Sequence, residues 1–175
     1  MNLLNVEIST NRLVLQPISM KYKKDIFSEF TDKVTIYMQP RSPQYIAETE
    51  LFINQSIIEV GNSSALIFVI LKKESQEFLG CAGIHDIPGN PALGIWLKRS
   101  AHGNKYGLEA IAAIKKWADE NLNYECLHYP VDRRNIASRK IPEALGGKIF
   151  KEYDQVNMSG NTLHLLEYRI YHNKN

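Results

Sequence analysis

The sequence predicts an α/β (α+β) fold, a mixed and mostly antiparallel sheet of about seven strands with about four helices. Three observations carry this. Ala65-Leu-Ile-Phe-Val-Ile-Leu71 is an uninterrupted apolar run, as expected of a strand buried on both faces. Residues 92–110 and 125–147 each read as strand, polar turn and helix in succession. Residues 148–156 and 162–171 then read as two strands joined by Asn157-Met-Ser-Gly-Asn161, a closing hairpin.

In chain order, Leu13-Val-Leu-Gln-Pro17 is the first strand, closed by its proline. Residues 22–30 and 42–60 have helical period; in the second, Ile46, Leu51, Phe52, Ile53, Ile57 and Ile58 form a broad apolar stripe after Pro43, which suits a first helical turn. Residues 31–41 between them are irregular. After the central strand, turn residues 72–76 lead into a strand over 77–85 and so complete a hairpin. Pro88-Gly-Asn-Pro91 turns the chain into a strand over 92–97. In the helix that follows, Leu108, Ile111, Ile114, Trp117, Ala118 and Leu122 recur at helical spacing, and Lys105, Glu109, Lys115, Lys116, Asp119 and Glu120 take the opposite face. Asn121-Leu-Asn123 ends it, residues 125–130 form the next strand, and Asn135 caps the last helix. Pro142 inside that helix deprives the Ser138 carbonyl of its partner, so a bend is expected there.

Ala92-Leu-Gly-Ile-Trp-Leu-Lys-Arg-Ser-Ala-His-Gly-Asn-Lys-Tyr-Gly-Leu-Glu-Ala110 is the most informative stretch. A strand feeding a turn at a helix N-terminus aims unpaired N–H groups and the positive end of the helix dipole at one point, where an anion belongs. Gly103 and Gly107 let the backbone come close, and Lys98, Arg99 and Lys105 add charge, so a pyrophosphate suits the turn. A Walker loop is excluded, because Gly103 to Gly107 is one residue too short and Leu108 follows. A dinucleotide fingerprint lacks its middle glycine. An ordinary strand-to-helix turn remains the alternative on the turn alone.

The order of motifs resembles the GNAT superfamily of acyl-coenzyme A transferases. There the first turn reads Arg/Gln-x-x-Gly-x-Gly/Ala and grips the coenzyme pyrophosphate, and a second carries Asn-x-x-Ala/Ser near the pantetheine and ends in Leu-Gly-Phe. This chain has Gly103 with Gly107, Asn135-x-x-Ser138, and Leu145-Gly146. Its opening Thr10-Asn-Arg-Leu-Val-Leu-Gln-Pro17 is similar to the Thr-x-Arg-Leu-x-Leu-Arg-Pro of the branch containing the ribosomal-protein N-terminal acetyltransferases. In that branch the loop is commonly His-Gly-Lys-Gly-Tyr-Ala-Thr-Glu-Ala, against His102-Gly-Asn-Lys-Tyr-Gly-Leu-Glu-Ala110 here. The resemblance spans nearly the whole chain.

It implies an N-acetyltransferase that takes acetyl-CoA as co-substrate and moves its acetyl group onto a primary amine, a protein N-terminal α-amine or a small-molecule amine, by direct attack on the thioester. Ile95, Trp96 and Leu97 would hold the pantetheine arm through the backbone. His102, Gly103, Asn104, Lys105, Tyr106, Gly107 and Leu108 would hold the phosphates, and Asn135 and Ser138 the second turn. Four departures stand out. Lys105 replaces a glycine, Ser100 a basic or amide residue, Pro142 the tyrosine that commonly protonates the thiolate, and Gly147 the aromatic of Gly-Phe. Ser138 then has two readings, acid in place of that tyrosine or a hydroxyl bonded only to backbone. His85 likewise relays a proton or is merely hydrogen-bonded. His102 is expected to line the phosphate or to pack, and Glu109 to place charge at the helix start without acting as a base. A catalytically weak acyl-CoA-binding or sensing domain is the alternative function, given weight by Lys105 and Pro142; a plain interaction domain is disfavoured by the paired turns.

With 175 residues, 44% hydrophobic and 23% charged, a single domain over 1–175 buries a full core without a metal or disulfide. The net charge of +2 is too small to announce nucleic acid, and Arg133, Arg134, Arg139 and Lys140 read as a solvated face. Cys81 and Cys126 lack metal spacing and read as buried, reduced thiols of a cytoplasmic protein. The first residues lack a signal-peptide pattern, and no apolar run reaches the roughly 18 residues of a membrane span. The expected state is a monomer or homodimer.

Overall fold

Strands dominate where β-branched and aromatic residues are dense, and the computed structural model describes residues 2–173. Within them the strands are β1 Ile8–Ser9, β2 Leu13–Pro17, β3 Leu66–Lys72, β4 Phe78–His85, β5 Ala92–Leu97, β6 Cys126–Asp132, β7 Lys148–Val156 and β8 Thr162–Tyr171. They form one sheet in the order β1-β2-β3-β4-β5-β6-β8-β7. The expected domain span of 1–175 starts and ends on residues outside those described. Every neighbouring pair is antiparallel except β5 and β6. The sheet thus has eight strands where about seven were predicted; β1 pairs only Ile8 and Ser9 with β2, too short a stretch to show alternation.

The helices are α1 Lys23–Glu29, α2 Asp32–Thr35, α3 Ile46–Gly61, α4 Tyr106–Asn121 and α5 Ile136–Ala144, with single 3-10 turns at Met20–Tyr22 and Arg99–Ala101. Two expectations are corrected. Residues 31–41 are not wholly irregular, because α2 forms there; four residues are too few for a periodic signal. The helix expected from residue 42 begins at Ile46 instead, because the Glu48 carboxylate accepts the N–H of Tyr45 at 3.0 Å and that of Gln44, fixing the entry two residues past Pro43.

Strand register sorts the layers. Ile67 pairs with Gly83, which pairs with Gly94, and Cys81 pairs with Trp96, so these five share one face. That face carries α1 and α3. On the opposite face a Cβ on Gly107 of α4 would stand 3.6 Å from Ile95 Cδ1, 3.8 Å from Leu97 Cδ1 and 3.1 Å from Ile141 Cδ1 of α5. The tight contact is the one with Ile141, so a side chain at position 107 would require that methyl to shift. The core between these layers is apolar: Leu13, Leu15, Leu66, Phe68, Ile70, Ile84, Ile111 and Ile114 are fully buried. Lys115 departs from its predicted polar face. Its side chain is buried and its Nζ lies 2.7 Å from Asp119, so the stem covers apolar surface and the charge is met one turn on. Cys81 and Cys126 are free and buried, and burial raises both thiol pKa values.

Candidate active site

The sheet is split at its middle. The parallel strands β5 and β6 pair only at Ala92 and His128, where the His128 N–H reaches Pro91 O at 2.8 Å. Beyond that point they diverge toward their C-terminal ends. The Lys98 N–H donates to Leu79 O at 2.8 Å, so by the two-residue alternation of an antiparallel ladder Trp96 and Gly94 bond back to β4. The main-chain groups of Ile95 and Leu97 therefore face the gap. One of them is taken: the Leu97 carbonyl accepts a bond of 2.9 Å from His102 Nε2, which assigns the imidazole proton to that nitrogen.

Both helices that follow the diverging strands point their N-termini at this opening. Lys105, the residue before α4, lies in the left-handed region with φ +59°, and Gly103 has φ +83°. The left-handed turn explains why glycine suits position 105, and a Cβ on Gly103 would meet no atom within 4 Å, so the loop has open space in front of it. A clamp from the turn between β1 and β2 holds the loop. Glu109 accepts from Thr10 Oγ1 at 2.6 Å, from Arg12 N–H at 2.9 Å and from Arg12 Nε at 2.6 Å, while Arg12 Nη1 donates to Asn104 O at 3.0 Å. Burial of this carboxyl opposes ionisation, yet these donors outweigh it and hold the Glu109 pKa below its usual value. Glu109 is thus an anchored anion, not a base.

The second turn is built on Asp132 at the end of β6. Its carboxylate, with a fully buried side chain, takes a bidentate pair from Arg134 at 2.8 and 2.7 Å and the N–H groups of Arg134 and His164, each at 2.9 Å. Burial works against the charge, but these bonds prevail and depress the pKa to about 2. The Asn135 side chain accepts from the Ser138 N–H at 3.3 Å, the expected cap of α5. Ser138 Oγ lies 2.7 Å from the hydroxyl of Tyr129, a residue only 2% exposed on β6. Desolvation raises the Tyr129 pKa to about 12, and the Ser138 bond opposes this only in part, so the phenol keeps its proton at neutral pH. A buried hydroxyl needs an acceptor, and Ser138 Oγ is the one in reach among the described residues. Tyr129 then donates, and the Ser138 proton is left to point elsewhere.

A cavity of about 510 Å3 fills the gap on the α4 and α5 side. It brings together Ile95, Trp96, Leu97, His102, Gly103, Lys105, Tyr106, Gly107, Leu108, Asn135 and Ser138, and adds Lys140 from α5. Asn104 stays outside, its amide turned back onto the carbonyls of Ala101 and His102 at 3.3 and 3.2 Å. Lys98 also points away, pairing with Glu77 at 2.9 Å. A second cavity, of about 470 Å3, lies on the α1 and α3 face and shares Met38, Ile95 and Trp96 with the first. His85 lines this second one, its ring beside Gly94, where an added Cβ would come within 3.4 Å of Nε2. The ring is open to solvent at the cavity mouth, yet the surrounding walls lower its pKa by desolvation, against the opposing charge of Glu59. His85 and Ser138 therefore stand in adjoining cavities.

Sequence reasoning missed Tyr129, Lys140 and the Arg12–Glu109 clamp. The alternation of Leu127, Tyr129 and Val131 could have placed Tyr129 in the core. Among the described residues no group of three or more His, Cys, Asp or Glu side chains is arranged to hold a metal ion, and no helix is long and apolar enough to cross a membrane.

The family model for the acetyltransferase (GNAT) domain matches residues 12–148. No curated protein sequence matches the chain. Among solved structures, the chain is similar to an acetyltransferase of the GNAT family from Bacillus anthracis, with 15% identity, coverage of 97% of this chain and 100% of the other, and a TM-score of 0.82. It is similar to the ribosomal-protein-S5-alanine acetyltransferase from Vibrio fischeri, with 15% identity, coverage of 97% and 98% and a TM-score of 0.82. It is also similar to the spermidine N-acetyltransferase from Vibrio cholerae, solved in complex with CoA and spermine, with 14% identity, coverage of 94% and 98% and a TM-score of 0.81. At such identities the likeness is one of fold.

Proposed function

Because the chain belongs to the acetyltransferase (GNAT) family, whose acyl donor is acetyl-CoA, we propose that it acetylates a primary amine, a protein N-terminal α-amine or a small-molecule amine, by direct attack of the amine on the thioester. The observation that carries this reading is the meeting of two cavities at Ile95 and Trp96, in a gap where strand main chain lacks a partner and two helix N-termini converge.

Acetyl-CoA supplies an activated carbonyl and a thiolate leaving group. The residues of the larger cavity fit it: the loop around Gly103 offers N–H groups and open space to phosphates, and Lys105 and Lys140 add positive charge. The Ile95 and Leu97 N–H groups offer fixed donors to a carbonyl oxygen, commonly the largest electrostatic contribution to acyl transfer. His85, neutral at pH 7 because its pKa is lowered, accepts the proton of the incoming amine. Ser138 gives its proton to the departing sulfur, with Tyr129 directing that proton toward the cavity. The free, buried Cys81 and Cys126 support a reducing, cytoplasmic setting.

Two measurements test the reading. Coenzyme A or its acetyl form raises the melting temperature, and NAD and ATP at equal concentration do so far less. Thiol release from acetyl-CoA then accelerates on adding an amine from a panel. An equal shift with all three nucleotides overturns the coenzyme site; a coenzyme-specific shift with no release for any amine favours the sensing alternative.

A further inference from the structure

Resting on the acetyltransferase reading, we propose that the acceptor is a primary amine on an apolar body with no second positive charge, seated in the cavity between β3–β5 and the helices α1 and α3. The walls are mostly apolar. Ile67, Cys81 and Trp96 form the floor, and Phe30 and Phe52 stand over it, with the Phe30 and Trp96 ring centroids 4.8 Å apart. A volume of about 470 Å3 falls within the roughly 300–1,000 Å3 of small-molecule sites.

The charges that line this cavity are spent on each other, and Glu59, whose charge reaches His85, lies outside the lining. Besides His85, its charged lining residues are Arg41 and Glu48. One Glu48 oxygen is bonded by Arg41 Nη2, and the other accepts the N–H groups of Tyr45 and Gln44. Arg41 Nη1 donates to Ser42 O at 3.0 Å. The pair is therefore neutral as a unit, and its carboxylate is not free for an ammonium group. A second cationic centre would be buried without a counter-charge, which is costly. The nucleophilic nitrogen itself gains, because an apolar site favours its unprotonated, attacking form, and a neutral His85 can take the proton.

One wall of the cavity is fixed by contacts distant in sequence. The loop between β7 and β8 contributes Met158, whose N–H donates to Gln39 O at 2.9 Å, and Asn157 Nδ2 donates to Met38 O at 3.2 Å. The side chains of Gln155 and Gln39 bond at 2.6 Å. Residues 38–41 are thereby held over the apolar floor.

The cleanest pair of probes is pentylamine and 1,5-diaminopentane, which differ by one terminal ammonium. With the full chain, acetyl-CoA and a thiol-release assay, kcat/KM for pentylamine is expected to exceed that for the diamine by at least about a hundredfold, and to rise about fourfold per methylene from propylamine to pentylamine. Thermal shift of the coenzyme A-saturated chain with the same two amines reads the preference without turnover. Preference for the diamine in either readout overturns the proposal. Absence of thiol release with every amine overturns only acetyl transfer, and the binding preference still decides the cavity's class. Phe52→Glu supplies a free carboxylate at a half-exposed site and is expected to narrow the gap between the two amines; an unchanged ratio with a normal melting curve overturns the placement. Tripeptides beginning with Leu or Asp separate the sources. Leu used faster than pentylamine supports a protein N-terminus, Leu used more slowly supports a small amine, and Asp preferred over Leu overturns the apolar body.

Discussion

Replacing Lys105 by glycine separates a backbone effect from a charge effect at one residue. Lys105 sits at φ +59°, ψ 21°, immediately before α4. A side chain in that region costs about 1–2 kcal/mol. Glycine removes this cost but adds roughly 0.5–1 kcal/mol of unfolded-chain entropy. The net expectation for Lys105→Gly is a gain of about 0.5–1 kcal/mol, or a rise of about 1–4 °C in Tm for a chain of this length. Lys105→Ala keeps the left-handed cost and loses the same charge, so its Tm without ligand should match or fall below that of the parent. Both variants lose a cation lining the larger cavity. Titration with coenzyme A at low salt should show each weakened by about two- to fivefold, a difference that fades as added salt shortens the screening length. A lower Tm for Lys105→Gly refutes the strain argument. Tighter coenzyme binding by both variants at every salt concentration refutes the charge argument.

Ser138→Ala should slow the chemical step by about 10- to 1000-fold with little change in coenzyme affinity, and an unaltered pre-steady-state thiol release removes Ser138 as the acid. Tyr129→Phe, which keeps the ring and loses only the donor bonded to Ser138, should lower kcat by about three- to tenfold without moving KM, whereas a purely structural hydroxyl would change the melting curve alone. Gly103→Val should abolish the coenzyme-induced shift while the chain stays folded, because its φ of +83° opposes a β-branched residue in a loop with space around it. Asp132, depressed to about 2 in the fold, contributes stability that is present above the unfolded pKa of about 4 and lost as pH falls toward 2. Asp132→Asn should therefore cost about 2 kcal/mol at pH 7 and flatten acid unfolding, and an acid midpoint identical to the parent's would contradict this.

Elements with strong period were legible: the ends of β2, β5, β7 and β8 fall where alternation and turn residues put them, and the cap of α5 is Asn135 as its side chain suggests. What escaped depends on contacts far apart in sequence. Glu109 reads as a helix-start charge until the fold brings Thr10 and Arg12 to it, and only then do the opening motif and the loop motif become two halves of one clamp. Lys98 reads as cradle charge until β4 presents Glu77. The Ser138 hydroxyl was singled out, but its Tyr129 partner depends on how the turn after β6 folds back. The cavity on the α1 and α3 face was least legible, since residues 38–41 and 155–158 meet only through the tertiary fold.

The parting of β5 from β6 also has a mechanical meaning. Along it the sheet is two slabs, β1 to β5 and β6 with β8 and β7, hinged at Ala92 and His128 and latched across the top where Gln39 meets Gln155 and Met158. A molecule that fills the opening and bonds the bare edge of β5 acts as a keystone, closing the seam with the same kind of bond that closes the rest of the sheet. Filling that seam couples the rigidity of the two slabs, so the two adjoining cavities are tied through one hinge.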